Sequence, residues 1–66
     1  MEIRLNDSII EVPEGATLQD ALDHKGIPAD GIATALNGTV VPRTLRGETI
    51  LKPNDSILII KAFYGG

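Results

Sequence analysis

Apolar and polar residues alternate along the first twelve positions of the chain, as they do in half-buried strands. The opening segment "MEIRLN" has apolar residues at its odd positions, and "SIIEV" continues the alternation with Ile10 and Val12 in phase. The residues "NDS" between the two segments are types that favour turns. The pattern therefore predicts two short strands joined as a β-hairpin.

The next segment, "ATLQDALDHKG", carries a helical pattern. Thr17 is placed to cap a helix, and Asp20 stands at the third helical position, as in a capping box. Gly26 occurs where helices commonly end. The apolar stripe at helical spacing consists of Leu18, Ala21, Leu22 and the stem of Lys25. Because a helix of about eight residues is unstable alone in water, we expect it to pack on a sheet.

The middle of the chain predicts a second hairpin. The segment "IATALN" alternates again and leads into Asn37-Gly38, the strongest short hairpin signal. The segment "TVVPR" then forms the return strand. Pro42 either ends that strand or restricts it to an edge of the sheet, because proline cannot donate a backbone hydrogen bond.

The last third contains the most apolar strand. We expect "TLRGE" to be irregular or a tight turn, "TIL" to be a short strand, and Asp55 to make hydrogen bonds within a turn. The segment "SILIIKAF" is then placed at the centre of the sheet, because strands buried on both faces read as continuous apolar runs.

Successive side chains of this last strand point to opposite faces of the sheet. We assign Ile57 and Ile59 to the face that the helix covers, and Leu58 and Ile60 to the other face. An exposed aliphatic pair on an uncovered sheet face is a candidate docking surface for a partner.

The order of these elements favours an α+β domain of the ubiquitin-like β-grasp type. That arrangement requires the first and last strands to pair in the middle of a mixed sheet of four to five strands, with one short helix packed on one face. Other small α+β layouts share the same order of elements. We expect the domain to span residues 1–62 and residues 63–66 to form a flexible C-terminal tail.

Composition excludes several classes of site. The 66 residues include no cysteine and one histidine, which argues against disulfides and against thiolate or histidine metal centres. The net charge of −3 and the scattered basic residues argue against nucleic-acid binding. Arg43, Arg46 and His24 are interpreted as solvated or structural side chains. With no signal peptide and no apolar stretch long enough to cross a membrane, we expect a monomeric cytoplasmic protein.

The sequence closes on "FYGG", and this end carries the candidate chemistry. Gly65 and Gly66 have no side chains, so they form a thin end with an unhindered terminal carbonyl. Phe63 and Tyr64 are candidate contacts for a partner's groove, since aromatic residues are enriched at interface hot spots.

Several segments taken in order resemble the ThiS family of sulfur-carrier proteins of thiamin biosynthesis. They are "NDS", "GATLQDAL", "ALNGTVVPR", "NDSILIIKAF" and the terminal "GG", which together extend over the whole chain. The resemblance implies that an ATP-dependent, E1-like adenylating enzyme activates the carboxylate of Gly66. A sulfur donor then converts it to a thiocarboxylate, which a thiazole synthase uses. The protein would be a cosubstrate rather than an enzyme, with no bound cofactor and with ATP used by its partner.

Two alternatives stay open at this point. A carrier for molybdopterin synthesis or tRNA thiolation would use the same chemistry in another pathway. A β-grasp protein-interaction module would carry the two glycines incidentally.

Overall fold

The computed structural model describes residues 1–61, which form five strands, one α-helix and one 3-10 helix. Their bounds are β1 Glu2–Leu5, β2 Ser8–Glu11, α1 Leu18–His24, β3 Ile32–Leu36, β4 Thr39–Val41, the 3-10 helix Arg43–Glu48, and β5 Ser56–Lys61.

The strands form one mixed sheet in the order β2-β1-β5-β3-β4. β1 and β5 are parallel, whereas the other neighbouring pairs are antiparallel. The prediction that the first and last strands pair at the centre is therefore confirmed, and so are the mixed sheet and the edge position of β4. α1 packs on one face, and the sheet face away from it is called the outer face below.

Both hairpins turn where the sequence predicts. In the β3–β4 turn, Asn37 and Gly38 have φ values of 50° and 86°. Positive φ at both central residues is what a type I′ turn needs, and asparagine and glycine reach that region most easily. In the β1–β2 turn, Asn6 is also left-handed, with a φ of 53°.

The helix begins at the predicted capping box. The backbone N–H of Asp20 donates to Thr17 Oγ1 over 3.1 Å, and the Thr17 N–H donates to Asp20 Oδ2 over 2.9 Å. The prediction that the stem of Lys25 extends the apolar stripe is wrong: Lys25 is exposed and serves as the C-cap through its backbone. The helical residues buried against the sheet are Leu18, Ala21 and Leu22.

The core lies between α1 and the inner face of the sheet. β5 contributes Ile57, which is fully buried, and Ile59, which is half-buried. The remaining buried strand and loop residues of this core are Ile3, Leu5, Ile10, Val12, Ala16, Val41 and Leu51. The inward assignment of Ile57 and Ile59 is thus confirmed.

The segment "TIL" is not a strand, contrary to the prediction. Ile50 forms only an isolated bridge to Thr17. Leu18 N–H donates to the Thr49 carbonyl and Leu51 N–H to the Ala16 carbonyl, both over 2.8 Å. The segment is therefore held by the residues that open α1 and not by the sheet.

Arg46 is not a solvated surface side chain, which corrects the sequence interpretation. It lies in the 3-10 helix with only 2% of its surface exposed. Nε donates to Thr34 Oγ1 over 3.1 Å, Nη1 to the Ala29 carbonyl over 3.0 Å, and Nη2 to the Ile32 carbonyl over 2.9 Å. Thr34 Oγ1 in turn donates to the Val41 carbonyl. The guanidinium thus ties the 3-10 helix to β3 and to the loop before it.

We expect Arg46→Met to lower the free energy of unfolding by about 2 kcal/mol. The substitution leaves the Ala29 and Ile32 carbonyls without their donor, and an unsatisfied buried polar group costs about 1–3 kcal/mol. Urea unfolding followed by circular dichroism measures the change.

Arg43→Met is the matched control. Arg43 pairs with Asp30 at the surface, with 64% and 81% of the two side chains exposed, and such pairs contribute at most about 1 kcal/mol. Equal losses in the two variants would contradict the structural role assigned to Arg46.

Candidate functional site

Leu58 and Ile60 lie on the outer face with 51% and 55% of their surfaces exposed. They alternate along β5 with Ile57 and Ile59, which point towards α1. The outward assignment of the two residues is confirmed.

β3 and β4 extend this apolar surface. Ala33 stands opposite Ile60, and Ala35 stands opposite both Leu58 on β5 and Val40 on β4. Val40 is 73% exposed. We call these five residues the outer patch: Ala33, Ala35, Val40, Leu58 and Ile60. Because the alanines are small, the larger Leu58 and Ile60 project above their neighbours.

The sequence interpretation missed the three residues on β3 and β4. The alternation in "IATAL" and "TVV" indicates which side chains share a face, but not which strand lies beside β5. The strand register supplies that information, with Ala33 paired to Ile60 and Ala35 to Leu58.

The other half of the outer face is charged. Glu2 and Glu11 stand opposite each other in the β1–β2 pair, next to the opposed Arg4 and Ile9. Like charges directly opposite are unfavourable in an antiparallel pair. The Met1 amino group lies 3.8 Å from Glu11 Oε1 and offsets part of that repulsion. The outer face therefore combines an apolar half on β5, β3 and β4 with a charged corner on β1 and β2, where Arg4 and the Met1 amino group offset the two glutamates.

Polar side chains fix the start and the middle of β5. Asn37 Oδ1 accepts from the Ser56 N–H over 2.9 Å, and Asn37 Nδ2 donates to Asp55 Oδ1 over 2.9 Å. Asp55 Oδ2 also accepts from the Lys52 N–H over 2.7 Å, so the predicted turn role of Asp55 is confirmed. Further along, Asn6 Oδ1 accepts from the Ile59 N–H over 2.8 Å.

The predicted chemistry at Gly65 and Gly66, and the predicted contacts of Phe63 and Tyr64, lie outside the described residues, as does the boundary predicted after residue 62. β5 is described up to Lys61, so the outer patch directly precedes this segment along the chain. At about 3.5 Å per residue, an extended chain spans roughly 20 Å from Ile60 to Gly66.

Within residues 1–61 the structure contains no group of three or more histidine, aspartate or glutamate side chains able to hold a metal ion. No helix in that range has the length and apolar character needed to cross a membrane. Every buried side-chain nitrogen and oxygen of the described part has a hydrogen-bond partner. The outer patch is the candidate functional surface of the described part, and β5, which carries Leu58 and Ile60, is described up to Lys61.

Two solved structures have the same fold as this chain. The crystal structure of the thiamine biosynthesis protein ThiS from Geobacter metallireducens superposes with a TM-score of 0.82 at 25% identity, covering 100% of this chain and 99% of that one. SAMP1 from Haloferax volcanii superposes with a TM-score of 0.66 at 21% identity, over 98% of this chain and 97% of that one. The second likeness shows the fold alone and agrees with the β-grasp assignment.

Sequence comparison agrees with the structural comparison. The sulfur carrier protein ThiS of Escherichia coli (strain K12) is 30% identical to this chain over 66 residues, which is the full length of both proteins. The family model described as "ThiS family" matches residues 1–66. The chain belongs to the ThiS family.

Proposed function

We propose that this protein carries sulfur for thiazole formation in thiamin biosynthesis, as a thiocarboxylate on Gly66. The observation that carries the proposal is the family match, which extends through the terminal glycines, together with a full-length relative named as a sulfur carrier. A ThiS-family protein is a small carrier and not itself a catalyst, so the chemistry belongs to its partners.

The proposed reaction begins at the terminal carboxylate. One carboxylate oxygen attacks the α-phosphorus of ATP on an adenylating enzyme, and pyrophosphate leaves. The product is an acyl-adenylate in which AMP is a good leaving group. Sulfide-level sulfur (HS⁻) from a donor then attacks the carbonyl carbon, AMP departs with the electron pair of the carbon–oxygen bond, and loss of the sulfur-bound proton leaves the thiocarboxylate. No cofactor is bound by the carrier in this scheme, because ATP is bound and used by the partner.

The residue types at the end of the chain suit this chemistry. Gly66 has no β-carbon that could shield its carbonyl from either attack. Gly65 gives the backbone access to dihedral angles that other residues avoid, which helps a chain enter a narrow channel. The chain has no cysteine, so no thiol of its own competes for the activated carbonyl.

The outer patch is the proposed docking surface for the adenylating enzyme. It exposes two large aliphatic side chains, Leu58 and Ile60, on a strand that runs directly into the reactive end. Exposed apolar patches of this kind mark interaction sites. A thiazole synthase is the second proposed partner and takes the sulfur.

Deletion of Gly66 should abolish sulfur loading and leave the free energy of unfolding unchanged. The deletion removes the carboxylate that the enzyme would adenylate and puts Gly65 one residue short of the reactive position. Intact-protein mass spectrometry tests this after incubation with adenylating enzyme, ATP and a sulfur donor. The full-length protein should gain the mass of one oxygen-to-sulfur exchange at its last residue, and the deleted protein should not. An unmodified full-length protein would refute the carrier function and favour an interaction module with incidental glycines.

Leu58→Glu or Ile60→Glu should raise the KM of the adenylating enzyme for the carrier roughly tenfold or more. Placing an unpaired carboxylate in an apolar contact costs at least about 1.4 kcal/mol, which corresponds to one factor of ten. The kcat should change less, because the reacting atoms are untouched. ATP–pyrophosphate exchange measures both constants.

Ile50→Glu is the matched control for this test, since Ile50 is a similarly exposed isoleucine, at 63%, that lies outside the outer patch beside Thr17. The KM of the adenylating enzyme for this variant should stay close to its KM for the unsubstituted protein. A KM that is equally raised at position 50 would exclude the outer patch as the docking surface.

The pathway is tested separately from the loading step. The thiocarboxylated protein should supply sulfur to a thiazole synthase in a reconstituted reaction and fail to do so for a molybdopterin synthase large subunit or a tRNA-thiolating enzyme. Transfer to either of the latter, with none to thiazole synthase, would keep the carrier chemistry and reassign the pathway.

A further inference from the structure

Asn37 links the β3–β4 turn to the start of β5 through three hydrogen bonds. Its N–H donates to the Ser56 carbonyl over 2.8 Å, its Oδ1 accepts from the Ser56 N–H over 2.9 Å, and its Nδ2 donates to Asp55 Oδ1 over 2.9 Å. With a φ of 50°, the backbone of Asn37 leaves the strand direction, and the side-chain oxygen takes the place of a strand carbonyl beside Ser56. Both polar ends of the amide are therefore held in the folded chain.

The same amide is chemically labile because of the residue that follows it. The backbone nitrogen after an asparagine can attack the side-chain carbonyl carbon and close a five-membered succinimide ring. Asn37 is followed by Gly38, which has no β-carbon to hinder the attack and reaches the dihedral angles that ring closure needs. The other two asparagines of the chain, Asn6 and Asn54, are each followed by an aspartate. The sequence thus contains one asparagine with an unhindered neighbouring nitrogen.

The reaction converts the amide to a carboxylate with release of ammonia. The Gly38 nitrogen gives up its proton to base and bonds to Cγ of Asn37, and the Cγ–Nδ2 bond breaks as ammonia leaves. Water then opens the ring. It yields aspartate when the bond from the Gly38 nitrogen to Cγ breaks, and isoaspartate when the bond from that nitrogen to the main-chain carbonyl carbon breaks. Asn37 and Gly38 are both exposed at the hairpin tip, so water and base can reach them.

The folded structure opposes the first step of this reaction. Ring closure expels Nδ2 and reorients the side-chain carbonyl, so the contacts of the amide with Asp55 and with the Ser56 N–H have to open. The contact with Asp55 is a hydrogen bond to a carboxylate, and charge-assisted bonds of this kind are stronger than neutral ones. The amide therefore reacts only from a locally opened form of the turn, which is a minor fraction of the folded protein.

The product no longer fits the start of β5. An aspartate at position 37 puts an oxygen where Nδ2 now donates, so two carboxylates face each other with no hydrogen between them. Like charges at this separation disfavour the ionised pair. Isoaspartate adds a main-chain carbon to a two-residue turn, and the length of that turn fixes the register of the β3–β4 hairpin. Either product weakens the attachment of the turn to β5.

We propose that Asn37 is a site of spontaneous deamidation, that its contacts with Asp55 and Ser56 slow the reaction in the folded protein, and that the reaction, once it occurs, loosens the start of β5. This modification site is separate from the outer patch and from the C-terminal glycines, and its chemistry needs only water.

The first test measures deamidation of the full-length chain at mildly alkaline pH, folded in buffer and unfolded in guanidinium chloride. Peptide mass mapping locates each conversion of amide to acid. In the unfolded chain we expect Asn37 to react faster than Asn6 and Asn54, which serve as internal controls. In the folded chain the rate at Asn37 should fall about tenfold or more, since two hydrogen bonds must open first.

Either of two results would overturn the proposal. A rate at Asn37 no higher than the rates at Asn6 and Asn54 in the unfolded chain would remove the assignment of the site. Equal rates at Asn37 in the folded and unfolded chains would show that its hydrogen bonds give no protection.

The second test examines the product with a double-substitution cycle. Asn37→Asp should lower the urea midpoint of unfolding, because it sets two carboxylates against each other. Asn37→Asp combined with Asp55→Asn should recover most of that loss. In the combined variant the amide stands at position 55, where its nitrogen can donate to the new carboxylate and its oxygen can still accept from the Lys52 N–H.

Asn54→Asp is the matched control for the added charge. Asn54 also has a positive φ, of 69°, but its side chain is not part of the contact between Asn37 and Asp55. Its urea midpoint should stay close to that of the unsubstituted protein. An unchanged midpoint in Asn37→Asp, or a combined variant whose loss equals the sum of the two single losses, would overturn the proposed effect on β5.

Discussion

The hydrogen bonds between β1 and β5 join two segments from opposite ends of the chain. The Arg4 N–H donates to the Asp55 carbonyl and the Asn6 N–H to the Ile57 carbonyl, both over 2.8 Å. This parallel contact places β5 at the centre of the sheet and leaves the β1–β2 and β3–β4 hairpins on either side of it. The core under α1 needs both hairpins, because Ile3 and Ile10 come from one and Val41 from the other. Without the central pair, neither half could bury its apolar face.

The central position of β5 also creates two surfaces from a single strand. One set of alternate residues, Ile57 and Ile59, packs in the core, whereas the other set, Leu58 and Ile60, forms the middle of the outer patch. Since α1 covers only one face, Leu58 and Ile60 stay exposed. The proposed sulfur-carrying end follows the same strand. The proposed docking surface is thus joined to the proposed reactive terminus by β5, whose backbone is paired with β1 at Ser56 and Ile57 and with β3 from Ile57 to Lys61.

The buried guanidinium of Arg46 performs a different structural task. In the described part of the chain its donors are taken by Thr34 Oγ1 and by two backbone carbonyls, with no carboxylate among them. Charge-assisted hydrogen bonds of this type are stronger than neutral ones. They fasten the 3-10 helix and the loop after α1 to β3. Neither of these two segments is paired as a strand in the sheet. The attachment of the 3-10 helix and of the loop after α1 to the sheet therefore depends largely on one side chain.

The sequence by itself determined the local structure of this protein. The two hairpins, the capping box at Thr17 and Asp20, the extent of α1 and the faces of β5 follow from periodicity and turn chemistry, which act over a few residues. The tertiary structure alone decided the burial of Arg46, the bonding of "TIL" to the start of α1, and the contribution of β3 and β4 to the outer patch. Each of these depends on partners distant in the chain, as Arg46 does on Thr34 and Ala29. A local pattern records the polarity of a residue but not which distant donor or acceptor packing will place beside it.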